Sequence, residues 1–145
     1  MSRLEHARSF RDLIVYQKAR RVAKNVFELT KGFPKEEKYS LTDQVRRSSR
    51  SVGAQLAEAW AKRRYEKHFV SKLTDADGEQ QETQHWVECA HDCGYLTQQQ
   101  MNEILTHLSG IGRMLSSMMQ KSSSFCAQDN TMVREDRAEY FLSSN

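Results

Sequence analysis

The chain has 145 residues, with one proline, six glycines, 28% charged residues and a formal net charge of +3. That length suits one hydrophobic core with tails and excludes two comfortable domains. The scarcity of breakers and of strand-favouring runs argues for an all-helical chain, and no stretch approaches the ~18 apolar residues needed to cross a membrane.

The first ten residues, MSRLEHARSF, lack the apolar run of a signal peptide, so a soluble protein of the cytoplasm is expected. Cys89, Cys93 and Cys126 are an odd number of thiols, which fits a reducing compartment better than a disulfide framework. Charge is unevenly placed. Residues 1–64 hold 16 Lys/Arg and 7 Asp/Glu, a net +9, while residues 65–145 hold 6 and 12, a net −6. Such a split permits two readings: a basic surface for a polyanion, or complementary surfaces that meet within or between subunits.

In chain order, a tail over 1–11 leads into a first helix at about 12–31. Val15, Ala19, Val22, Val26 and Leu29 recur there at spacings of four and three, with Tyr16, Ala23 and Phe27 widening the stripe. Gly32 stands where a left-handed C-terminal residue is wanted, and Pro34 blocks continuation. The second helix is expected to start at Ser40 as N-cap, with Asp43 as its acidic partner. Leu41, Val45, Ser48, Val52, Leu56 and Ala59 then fall in one arc. Beside it Gly53, Ala57 and Ala61 form a smooth strip for a close helix neighbour, in the bundle or in another subunit.

A third helix over about 65–93 places Phe69, Leu73, Ala76, Val87 and Ala90 on one face, with Trp86 alongside. Glu79, Gln80 and Thr83 interrupt that face, so this turn either lines a wet seam or pairs with cations or hydroxyls of a neighbouring helix. The break between the second and third helices falls near residues 62–65, with one long helix as the alternative. Gly94 ends the third helix, and Thr97 followed by Gln100 opens the fourth with a capping box. Met101, Ile104, Leu105, Leu108, Ile111, Leu115, Met118 and Met119 carry its period to about 121. The Ser-rich residues 122–145 read as a flexible tail with room for a short helix over 133–142. Four amphipathic helices on short connections are best satisfied by an antiparallel up-down-up-down bundle over 12–121.

Several residues carry a family likeness. They are the run FRDLIVYQKARRVAKNVFELTKGFPKEEKYSLTDQVRRSSRSVGAQLAE, with its QKA, its Phe33-Pro34 pair and its L-x-x-Q-x-R-R start, then Phe69, Leu73, Ala76, Gly78 and Glu82, and the Gly94-Tyr95-Leu96 turn. In this ordered set, across about residues 9–119, the chain resembles the four-helix bundle proteins encoded by intervening sequences in bacterial large-subunit ribosomal RNA genes. Ala59, Ala61 and Glu79 depart from the family pattern. The resemblance implies a bundle that assembles into a ring-like homopentamer. It also implies kinship with accessory proteins of diversity-generating retroelements, which partner a reverse transcriptase and nucleic acid.

Candidate chemistry lies mainly in the cations. Arg20, Lys24 and Lys31 share an arc of the first helix, with Arg21 further round; Arg46, Arg47 and Arg50 lie on the second, which closes with Lys62, Arg63 and Arg64. Such arrays hold phosphates by releasing their counterions, although a solvated helix face has the same composition. Arg47 could instead meet the acidic third helix of a neighbouring subunit. Only Tyr65 and Trp60 stand as aromatic neighbours of these cations in sequence, which argues against readout of single strands.

His85, Cys89 and Cys93, each four apart, could seed a zinc site on one helix, but no fourth ligand follows. Glu82-x-x-His85 and Glu88-x-x-His91 have di-iron spacing, yet both lie on the same helix, whereas that chemistry needs the two pairs on separate helices. No Ser/His/Asp spacing or Gly-rich phosphate loop stands out. The expectation is a non-enzymatic, cofactor-free, homo-oligomeric bundle that binds RNA or DNA, with a reverse transcriptase or another RNA-handling protein as the partner the resemblance implies. The alternative is a structural module whose basic and acidic halves pair between subunits.

Overall fold

A computed structural model describes residues 7–126. Four long helices dominate: α1 (Ile14–Thr30), α2 (Asp43–Ala61), α3 (Glu66–Asp92) and α4 (Gln98–Gln120), followed by a short α5 (Ser122–Phe125). No strand occurs among the described residues.

Cross-helix contacts fix the topology. Thr30 near the end of α1 meets Arg46 near the start of α2, and Tyr16 near the start of α1 lies against Gly53 further along α2. Arg47 reaches Glu79 and Glu82 while Glu58 reaches Lys72, so α2 and α3 are also antiparallel. Thr74 meets Met119, Gln80 lies beside Gly112, and α4 returns to α1 where Met114 and Met118 flank Leu13 and Val15. The result is the up-down-up-down bundle that the four apolar stripes require.

The stripes become the core. Val15, Ala19, Val22 and Val26 of α1, and Val45, Val52, Leu56 and Ala59 of α2, are buried. They pack with Phe69, Leu73, Ala76 and Val87 of α3 and with Ile104, Leu108, Ile111 and Leu115 of α4. Burial of each large apolar side chain contributes about 1.5–3 kcal/mol relative to exposure. The polar turn of α3 finds its partners inside the chain. Thr83 and Ser48, both fully buried, share a 2.8 Å hydroxyl contact across α2 and α3. Gln80 donates to Asp77 at 2.9 Å and accepts from Gln84 at 2.7 Å.

Helix boundaries follow sequence signals at some ends and not at others. Thr97 and Gln100 form the expected capping box, and Gly94 has φ +81, the left-handed geometry that lets the chain leave α3. The α2–α3 break falls over residues 62–65, where Tyr65 is extended. Three expectations are corrected. Gly32 is not left-handed: α1 ends in a right-handed turn in which the Gly32 N–H bonds Leu29 and the Phe33 N–H bonds Thr30, after which Pro34 is extended. Ser40 does not cap α2. A π-turn over Lys38–Thr42 runs straight into that helix, and the Ser40 hydroxyl donates to Glu37 at 2.8 Å. At the N-terminus, Ser9 and Asp12 form a capping box on a 3-10 turn (Phe10–Asp12), and extended Leu13 separates that turn from α1.

The segment after residue 121 also differs from a flexible tail as far as residue 126. Phe125 stacks on Phe69 with centroids 5.6 Å apart, Ser122 donates to Glu66, and Cys126 is buried. Two apolar side chains and one hydroxyl are enough to fasten this turn to the start of α3. The short helix expected over 133–142 lies outside the described residues.

Candidate nucleic-acid interface

Antiparallel packing of α1 on α2 sets the cations of one helix beside those of the other. The small residues of the smooth strip decide how closely. Gly53 is buried, and a Cβ there would lie 3.4 Å from the Tyr16 ring, so the first part of the strip serves packing inside the bundle. Around this contact the two helices leave a groove of about 450 Å³ between them. Its floor and walls are Phe10, Tyr16, Ala19, Ala23 and Phe27 on one side and Ser49, Gly53, Ala54 and Ala57 on the other; Arg20, Lys24 and Arg50 line it too, and no carboxylate does.

Phe27 organises the cations. The Arg46 guanidinium lies 4.7 Å and that of Arg50 5.6 Å from its ring centroid, with the Lys31 ammonium at 4.9 Å. Arg46 is further fixed by a 2.7 Å hydrogen bond from its Nε to Thr30 Oγ1, whose own hydroxyl donates to the Phe27 carbonyl at 3.0 Å. Arg20 lies 6.0 Å from the Tyr16 ring centroid. Two guanidiniums on one ring repel each other, and the ring's negative face offsets part of that repulsion. Arg20, Lys24, Arg46 and Arg50 make no ion pair among the described residues, whereas Lys31 pairs with Glu28 at 2.9 Å.

Of the sequence-predicted cations, Arg20, Lys24 and Arg50 line the groove, Arg46 and Lys31 reach only its Phe27 ring, and the others are not brought to it. Arg47 turns to α3, where it contacts Glu79 at 3.4 Å and Glu82. The Glu82 hydrogen bond raises the Arg47 pKa above its ordinary value. Glu82 is held below the usual carboxylate range, first by the Trp86 indole N–H at 2.9 Å and then by Arg47. The acidic third helix expected from another subunit is therefore available within the same chain. Arg21 is exposed on α1 but lines no part of the groove. Lys62, Arg63 and Arg64 follow the far end of α2, about 24 Å along its axis from Arg46. There Arg63 lies over the Trp60 ring at 3.6 Å and donates to the Trp60 carbonyl.

Sequence reasoning missed the aromatic share of this surface. Phe10, Tyr16 and Phe27 are remote from Arg46 and Arg50 along the chain, and only helix pairing brings them together. One signal was present: Phe27 sits at the edge of the α1 stripe, midway between Ala23 and Lys31. The zinc candidates fare differently. His85 Nε2 lies 3.7 Å from Cys89 Sγ, but Cys93 is the exposed C-cap of α3, and no metal-holding group of three or more His, Cys, Asp or Glu occurs among the described residues. Burial and neighbouring acids raise the Cys89 pKa. No helix among the described residues is long and apolar enough to cross a membrane.

Comparison with known proteins agrees with this architecture. A crystal structure of a protein of unknown function from the S23 ribosomal protein family of Bacteroides thetaiotaomicron matches with a TM-score of 0.67 and 29% identity, covering 73% of this chain and 98% of that one. No curated protein matches the chain. The family model of the 23S rRNA-intervening sequence protein matches residues 11–117, which takes in the four long helices almost entirely, and the chain belongs to that family.

Proposed function

We propose that the protein is a nucleic-acid-binding bundle that acts by binding alone, with the α1–α2 face as its contact. The observation that carries this reading is that Arg20, Lys24 and Arg50 line a groove that no acid lines, with Arg46 beside it over the Phe27 ring, and that none of these four cations has a carboxylate ion-pair partner among the described residues. Positive side chains without an acid partner need no ion pair broken before they meet phosphates, and each phosphate they neutralise releases condensed counterions. The family description refers to an intervening sequence of 23S rRNA, which supports RNA as the first polyanion to test. A homo-oligomer, such as the ring-like pentamer that the resemblance implies, would repeat the groove and raise avidity without new contacts.

Light scattering at low and high salt, with the ultraviolet absorbance ratio recorded across the peak, tests the proposal. The expected result is co-purified nucleic acid that high salt strips away while the protein mass stays constant. A nucleic-acid-free peak at low salt whose mass falls as salt rises would contradict it, and would instead favour pairing of basic and acidic faces between subunits.

A further inference from the structure

Charge alone does not distinguish a duplex from a single strand; the floor of the groove does. A duplex keeps its base faces stacked inside and offers phosphate and sugar to a cationic surface, which would leave an apolar floor unfilled. A single strand carries base faces that need an apolar or aromatic surface, beside phosphates that need cations. The α1–α2 groove offers both within one concavity. Phe27, Tyr16 and the small side chains of Ala23 and Ala57 supply apolar surface, and Arg20, Lys24 and Arg50 supply charge. Its volume of about 450 Å³ lies in the range of small-ligand sites.

From this juxtaposition we infer that the groove is a site for an unpaired nucleotide, so that the nucleic acid preferred by the protein is single-stranded. The inference rests on the nucleic-acid reading above and adds its substrate class. Arg50 belongs to both halves of the site: it lines the groove and lies over Phe27, so its guanidinium plane can stack on a base while its N–H groups meet a phosphate. Ala23 and Ala57 matter for what they leave out. A larger residue at either would occupy the space a base needs without altering charge. Backbone-independent stacking of this kind tolerates any base, so binding is expected to be indifferent to sequence.

The test compares a fluorescein-labelled oligouridylate with the same strand annealed to oligoadenylate, using the full chain and its Ala23→Leu variant at one low salt concentration. Labelled oligothymidylate serves as the DNA arm, and tighter binding of either single strand identifies the source of the nucleotide. The wild type is expected to favour the single strand. Ala23→Leu is expected to weaken single-strand binding about tenfold, the loss of roughly one stacked base, and to leave duplex binding unchanged. Ala57→Leu fills the same space from the opposite wall and replaces the first variant if that variant fails to fold. Equal weakening of both forms, or of neither, would overturn the inference while leaving the broader reading intact. Absence of binding to either form by the wild type would overturn both. A fall in the oligomer mass of the variant would show the groove to be a contact between copies, and would also overturn it.

Discussion

Replacing Arg50 with Gln removes one of the four cations that have no acid partner, and its effect should appear in the salt dependence of binding. If Arg20, Lys24, Arg46 and Arg50 each neutralise one phosphate, log K should fall with log salt at a slope of about −2.8 for a single strand, since each phosphate contributes about 0.7. Between about 50 and 200 mM salt this amounts to a loss of affinity of roughly fiftyfold. Arg50→Gln leaves three contacts, a slope of about −2.1, and a loss of roughly twentyfold over the same interval. Arg47→Gln is the informative control, because Glu79 and Glu82 already answer that charge. Its slope should match the wild type. The pair is half exposed, so its loss should cost no more than about 1 kcal/mol of stability. Fluorescence anisotropy of labelled oligouridylate at four or more salt concentrations measures all three slopes. A flat wild-type slope, or an Arg47→Gln slope reduced as far as that of Arg50→Gln, would refute the assignment of cations to the groove.

Other consequences concern the frame that holds the groove. Thr83→Val or Ser48→Ala alone should destabilise the bundle by about 1–2 kcal/mol by breaking the buried hydroxyl contact, while the double variant should cost less than the sum; urea denaturation measures each term. Gly94→Ala forces a Cβ into the left-handed region and should cost about 1–2 kcal/mol, seen as a lower melting temperature. Burial pushes the Cys126 thiol up to about 11 from an ordinary 9.0. The unfolded chain therefore loses this proton first, and stability that is intact below about pH 9 should fall as pH rises towards 11. A pH titration of the urea midpoint, compared with Cys126→Ala, isolates that contribution, and a midpoint that is flat over this window in the wild type would contradict it.

Periodicity carried most of the fold. Val45, Ser48, Val52, Leu56 and Ala59 were marked by spacing alone, and all five are buried. Spacing also showed that Thr83 would need a hydroxyl or a cation, and Ser48 supplies the hydroxyl. The start of α2 was less legible, because Ser40 has the chemistry of a cap but a π-turn already satisfies the backbone there. Phe125 and Cys126 were lost in a Ser-rich context, since nothing local shows that Phe69, 56 residues earlier, is waiting to receive a ring. The groove lay beyond sequence for a related reason. Helical spacing says which residues share a face of one helix, whereas the stacking of Arg46 and Arg50 on Phe27 depends on how far α2 is displaced along α1.

Photocrosslinking reads the location of the contact directly. The protein bound to oligouridylate at low salt is irradiated, digested and searched by mass spectrometry for nucleotide adducts. Adducts on Tyr16 and Phe27, abolished at high salt, are the predicted result. Adducts confined to the exposed Tyr39 and Tyr65, outside the groove, would contradict the assignment of nucleic acid to the α1–α2 face.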